Sequence, residues 1–172
     1  MKKEDIKIKS IKTFEGHDGM GLSADIFVGK VKVAHVFDAA YGGCFEYTAY
    51  DREKFIELEE FVGTLPDYDI NIGGEIIKGK MNLDILVDEI VDEIEKKKVK
   101  KKIKKQMEKG IVYGIPGGSK YNFVGWKTSM TKVIENFGMA VVKSVISDIQ
   151  VNCLKEGEVI LNTNLEALGI SL

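Results

Sequence analysis

From Ile6 to Tyr50 apolar and polar residues alternate in short runs divided by glycines, the period of half-buried β-strands. Ile6 and Ile8 open the first run, and Ile11 and Phe14 then break its alternation, which predicts a bulge or bend before Gly16. Leu22, Ala24, Ile26 and Val28 alternate with polar or opposite-facing neighbours up to Gly29-Lys30, a pair suited to a two-residue hairpin turn. Val31, Val33, His35 and Phe37 are expected on one face of the returning strand, with a loop at 38–43 and a fourth strand at 44–50. Four strands joined in chain order make an antiparallel meander.

The period then changes. Asp51 is placed to cap a helix whose apolar stripe is Phe55, Ile56, Leu58, Phe61 and Val62, with Gly63 as its end. Residues 64–81 read as a turn-rich connector around one short strand, 75–78. Asn82 can cap a longer helix through Leu83, Val87, Ile90 and Ile94. Beyond Gly110, two strands at 111–115 and 120–126 flank Pro116-Gly117-Gly118-Ser119, and helix resumes at Ser129. Its stripe of Val133, Ile134 and Phe137 either stops at Gly138 or continues through Val141, Val142, Val145 and Ile146. In 139–152 two periods compete. The reading adopted is helix to about Ser147, then a strand in which Ile149, Val151 and Cys153 alternate. Residues 159–161 should pair back as a strand before a short element at 165–168. The pattern predicts an α+β fold in three parts: an N-terminal antiparallel meander with packed helices (1–81), a long charged helix (82–109) and a β-hairpin/helix/strand portion (110–172), all of which could form one compact domain.

A chain of 172 residues with 44% apolar content can bury a core. The formal charge of −2 points to no partner by itself. Two cysteines and two histidines exclude a Cys/His zinc cluster and a disulfide-dense scaffold, and no metal or cofactor is implied. No apolar run reaches the roughly 20 residues of a membrane span, and the N-terminus lacks the apolar segment of a signal peptide. A cytoplasmic location, away from membranes, is the expectation.

Charge becomes informative when it is followed along the chain. Residues 96–109 hold nine lysines and one glutamate, net +8, so the rest of the chain carries −10. Residues 83–95 hold six acids and no base. A helix with acids first and bases last complements its own dipole, and Asp92 with Lys96 and Glu93 with Lys97 are favourable i,i+4 pairs, so internal stability alone can account for the arrangement. The register suggests more. Ile94 to Val99 is a step of five residues, which turns the apolar stripe by about 140°. Either the helix breaks near Glu95 or its second half packs elsewhere. Lys97, Lys98, Lys101, Lys104 and Lys105 then lie away from the short stripe of Val99, Ile103 and Met107, facing water or a phosphate backbone. Tyr113, Tyr121, Phe123 and Trp126 follow, and aromatics on a strand beside a basic ridge could stack unpaired bases. Lysine-rich helix faces are nevertheless commonly just solvated, and aromatics on short strands are commonly core.

Catalytic constellations are scarce. Residues 15–21 read as a glycine-dense surface loop, where His17 beside Asp18 could serve a small hydrolase as base, but no nucleophile is tied to them by spacing. The Lys-Ser/Thr ending of a phosphate-binding loop is missing. His35 reads as a hydrogen-bonded structural histidine, and Cys44 and Cys153 as small apolar residues. A non-enzymatic protein is the expectation.

The stretch from Ile11-Lys12-Thr13-Phe14-Glu15-Gly16-His17-Asp18-Gly19-Met20-Gly21 through Ala24-Asp25-Ile26-Phe27, Lys32-Val33-Ala34, Phe37-Asp38 and Gly42-Gly43 resembles small uncharacterised proteins of phages and prophages. The resemblance covers about the first half and extends to the acidic-apolar stretch 83–93. Some mobile-element proteins of this appearance are inhibitors of bacterial defence, including anti-CRISPR proteins that block Cas9-type nucleases. The resemblance therefore implies an inhibitor whose partners are a host defence protein, such as a CRISPR nuclease, and DNA or RNA. In that setting Asp88, Asp92 and Glu93 would be the partner-facing acids, meeting a basic nucleic-acid channel, and the lysine ridge would hold nucleic acid or an acidic protein patch.

Overall fold

The computed structural model describes residues 1–118 and 120–171. The fold is α+β, and the chain divides into two compact units, Met1–Ile94 and Glu95–Leu172.

In the first unit β1 (Ile6–Gly16), β2 (Gly19–Val28), β3 (Val31–Asp38) and β4 (Glu46–Ala49) form an antiparallel sheet in chain order. The bulge expected in β1 is present: pairing jumps from Lys9–Asp25 to Lys12–Ser23, and Ser10 takes a left-handed conformation with φ 55°. The glycine-dense segment is mostly strand rather than loop, because β1 and β2 continue to Gly16 and Gly19 and leave only His17 and Asp18 at the hairpin tip. Gly29 and Lys30 form the next turn, as expected. A second irregularity lies between the Ile26–Ala34 and Phe27–Lys32 pairs. It corrects the expected face of β3: Val33 turns into the core, whereas His35 pairs with Asp25 and Phe37 with Ser23 on the opposite face.

The inner sheet face supplies Ile8, Leu22, Ala24, Ile26, Ala34 and Val36 to one core. Helix α1 (Arg52–Gly63) closes over it, capped by Asp51, whose carboxylate accepts the Lys54 N–H at 3.1 Å. Leu58 and Val62 are buried, but Ile56 is 46% exposed, because two residues of helix turn it about 200° from Leu58. The connector holds a hairpin, β5 (Tyr68–Ile72) and β6 (Glu75–Gly79), rather than one strand. Asp69 and Asn71 disguise β5 as turn sequence. Helix α2 (Leu83–Met107) begins where Asn82 Oδ1 accepts the Ile85 N–H at 3.0 Å, and buries Leu83, Leu86 and Val87 in the same core. It runs without interruption past Glu95, where a break was one of the two expectations.

In the second unit β7 (Gly110–Gly114) is wholly buried between β8 (Tyr121–Gly125) and β9 (Val159–Ile160), antiparallel to both. The Phe123 ring lies over the paired glycines Gly110 and Gly125, where an added Cβ would come within 2.9 and 2.2 Å of it. Helix α3 (Met130–Phe137) is capped by Ser129 and ends at Gly138, whose φ of 80° turns the chain before α4 (Met139–Asp148) restarts. The stripe therefore both stops and continues. Residues 149–153 are a π-helical turn closed by Leu154 N–H to Ile149 O at 3.1 Å, and not a strand. Ile149 is buried while Val151 is 77% exposed, so the alternating residues do not share a face, and packing overrides their β-branched character. Buried Asn162 accepts the Val112 N–H at 2.7 Å and donates to Gly110 O at 2.9 Å, and Asn164 donates to Met107 O at 2.8 Å, which satisfies a carbonyl at the end of α2. No helix among the described residues is long and apolar enough to cross a membrane.

Candidate macromolecule-binding surfaces

The continuity of α2 decides how the lysines stand. Lys97, Lys98, Lys101, Lys104 and Lys105 are all exposed and follow a helical stripe about 12 Å long. Val99 and Ile103 are half-buried and Met107 buried, so the short apolar stripe faces away from this ridge. Lys98 pairs with Glu95 at 2.8 Å. Lys101, Lys104 and Lys105 have no carboxylate partner among the described residues. The two units differ in sign: Met1–Ile94 holds 11 basic and 20 acidic residues, net −9, and Glu95–Leu172 holds 14 and 7, net +7.

The expected acids Asp88, Asp92 and Glu93 are exposed on the first half of α2. Asp88 and Asp92, with Tyr68, Ile85 and Glu89, line a shallow groove between β5 and α2. Asp88 loses part of its hydration there, and the charges of Asp38, Asp84 and Asp92 add to that loss, so its carboxyl is pushed above the usual range. Nearby, Asp84 is held by the Tyr47 hydroxyl at 2.7 Å and the Phe45 N–H at 3.3 Å. Burial, then Asp84, drives the Tyr47 hydroxyl far above its ordinary range, so it remains a donor. Glu89 pairs with Lys3 at 2.8 Å.

The outer face of the β1–β4 sheet carries residues that sequence reasoning passed over. Asp25 accepts from His35 Nδ1 at 2.9 Å and from Lys32 at 3.0 Å, and His35 Nε2 lies 3.3 Å from Ser23 Oγ. Burial works to raise the Asp25 carboxyl, but bonds from His35, Lys32 and Ser10 outweigh it and hold the group below the usual range. The signal was the cross-strand register: Ser23 and Asp25 share a face two residues apart, and Asp25 lies opposite His35. The order serine, histidine, aspartate is that of a hydrolase triad, yet the surroundings differ. Lys32 already neutralises Asp25, and Ser23 is paired on both sides in a central strand, so its neighbouring N–H groups serve the ladder rather than an oxyanion. The network ties three side chains across two strands.

Aromatic rings frame that network. Phe14 and Phe37 stack with centroids 5.8 Å apart, meeting above Gly21, where a Cβ would stand 2.4 Å from the Phe14 ring. Lys9 lies over Phe27 and Lys32 over Tyr50, each ammonium 4.3 Å from the ring centre. The aromatics expected beside the lysine ridge are placed differently: Tyr113 and Trp126 belong to the second core, Tyr121 is half-buried, and Phe123 covers the glycines. His17 is 82% exposed and meets Asp18 at 3.6 Å. Cys44 and Cys153 are free thiols. Among the described residues no group of three His, Cys, Asp or Glu side chains is arranged to hold a metal ion.

Comparison with known families, with curated proteins and with solved structures found no match.

Proposed function

We propose that this chain is a non-enzymatic accessory protein of a mobile genetic element that works by binding, with the lysine half of α2 holding the phosphate backbone of DNA or RNA. The observation that carries the reading is the exposed stripe on which, among the described residues, Lys101, Lys104 and Lys105 have no carboxylate partner. Ammonium groups used only for internal stability would be expected to sit beside acids, as Lys98 does with Glu95. Contacts of this kind release counterions, favour no base sequence and weaken steeply with salt. Replacing Lys101, Lys104 and Lys105 together by Glu should abolish retention of duplex DNA at low salt. Unchanged retention refutes the reading.

A second reading, inhibition of a Cas9-type defence nuclease, is favoured by the −9 charge of the first unit and by the mobile-element resemblance. Asp88, Asp92 and Glu93 would then oppose the basic channel of such an enzyme. Adding the protein to a guide-loaded nuclease should suppress target cleavage, and Asp88→Lys/Asp92→Lys should relieve that suppression. Cleavage at the uninhibited rate with excess protein present excludes this reading.

A further inference from the structure

We propose that the outer face of the β1–β4 sheet is a second, separate site, which binds single-stranded nucleic acid by stacking unpaired bases on the Phe14–Phe37 pair. This inference does not rest on the lysine ridge of α2 and stands if that ridge binds nothing.

The inner face of the sheet is covered by α1 and the start of α2, while the outer face leaves Phe14 and Phe37 each 36% exposed and Tyr50 58% exposed. Solvated rings on a sheet need a reason, and here the backbone is adapted to present them. Gly21 provides the gap in β2 through which rings from β1 and β3 meet, and a side chain there would strike Phe14. The result is a platform of two stacked, partly exposed rings held from two strands.

Charge identifies the occupant. Lys7, Lys9 and Lys12 project from edge strand β1 on this same face, as their pairing with Phe27, Asp25 and Ser23 requires, and none has a carboxylate partner among the described residues. Lys7 and Lys9, alternate residues of the strand, stand about 7 Å apart, close to the phosphate repeat of an extended nucleic-acid chain, and Lys12 follows beyond the bulge. The acid at the centre of the face, Asp25, is neutralised by Lys32 and bonded to His35, so it does not repel a polyanion. The face carries Lys7, Lys9, Lys12 and Lys32 against two acids, Asp25 and Glu46, the cross-strand partner of Phe37, so it is locally cationic although the unit is acidic. Ser23 is the cross-strand partner of Phe37, which puts a hydroxyl beside the platform for the edge of a stacked base. Aromatic rings flanked by ammonium groups suit any base with an open face, and a duplex, whose bases are already stacked, cannot use them.

The test uses the full chain with Lys101, Lys104 and Lys105 replaced by Glu, so that the ridge is silent. Fluorescence anisotropy with labelled oligothymidylate of about 15 nucleotides should report binding, and a labelled duplex should report much less. Adding Phe14→Leu and Phe37→Leu keeps apolar bulk but removes the flat rings, and should weaken single-strand binding about tenfold or more. Lys9→Gln with Lys12→Gln should lower the salt slope by roughly 1.4. No single-strand binding, equal affinity for the duplex, or Leu variants that bind as the parent does would each overturn the proposal. Photocrosslinking of the unaltered chain to an iodouracil oligonucleotide needs no variant: adducts on Phe14, Phe37 or Tyr50 support the site, and adducts confined to other residues overturn it.

Discussion

The Tyr47 hydroxyl donates to Asp84 Oδ1 at 2.7 Å, linking the short edge strand β4 to the first turn of α2 across 37 residues of chain. That turn also carries the free N–H groups of a helix N-terminus, so Asp84 is favoured there twice, by the helix dipole and by the phenol. Tyr47→Phe keeps the ring against Phe55, at 5.6 Å between centroids, and removes only the donor. Urea unfolding should show a loss of about 1 kcal/mol, with the slope unchanged.

Two carboxyls should act in opposite directions as pH changes. Asp25 is held below the usual range, so its stabilising contribution is complete above the ordinary carboxyl value and is lost as pH falls through the lowered one. Asp88 is pushed up, so stability rises as pH falls from its raised value toward the ordinary one. Asp25→Asn should therefore flatten the acid limb of a stability curve below the ordinary carboxyl range. Asp88→Asn should stabilise the protein at neutral pH, and that gain should disappear in mild acid. Denaturant midpoints measured across pH for the three proteins check both signs.

Asn162 serves as a piece of backbone for β7. Its amide satisfies the Val112 N–H and the Gly110 carbonyl, neither of which an apolar side chain could reach with a polar atom. Asn162→Leu should cost roughly 2–4 kcal/mol, because buried donors and acceptors lose their partners together. Hydrogen exchange at Val112 should accelerate more than exchange in β2.

Gly21 is needed for space. A Cβ there would lie 2.4 Å from the Phe14 ring and 2.7 Å from the Asp38 carbonyl. Gly21→Ala should cost about 1–3 kcal/mol and displace Phe14 from Phe37. Near-ultraviolet circular dichroism should register the altered ring environment while the far-ultraviolet spectrum stays unchanged.

Much of the architecture was legible along the chain because its signals are local. Alternation across 22–28, the Gly29-Lys30 turn, the Asp51 and Asn82 caps, the start of helix at Ser129 and the bulge in β1 each depend on a few neighbouring residues and the backbone's own preferences. The elements that were misjudged depend on distant partners. Strand β5 exists through its pairing with β6, and residues 149–153 stay helical because Ile149 is anchored in the second core. Ile56 had the right character for the core but is turned out by helix phase, and Val33 enters the core while a register shift sends His35 and Phe37, expected on its face, to the other side.

For the candidate sites the same division holds. The lysine stripe could be read directly, since charge spacing on a helix follows from 3.6 residues per turn once the helix is granted. The continuity of that helix through Glu95, and hence the exposure of Lys101, Lys104 and Lys105 as one ridge, came from the folded chain. The sheet-face network of Ser23, Asp25 and His35 and the stacking of Phe14 on Phe37 lay beyond any reading of spacing, for they join residues 10 to 23 positions apart through strand register. Sequence by itself determined the turns, the helix caps and the distribution of charge, because these reside in neighbouring residues. Tertiary structure alone decided which side chains meet, because a bulge of one residue is enough to send a whole strand's side chains to the other face.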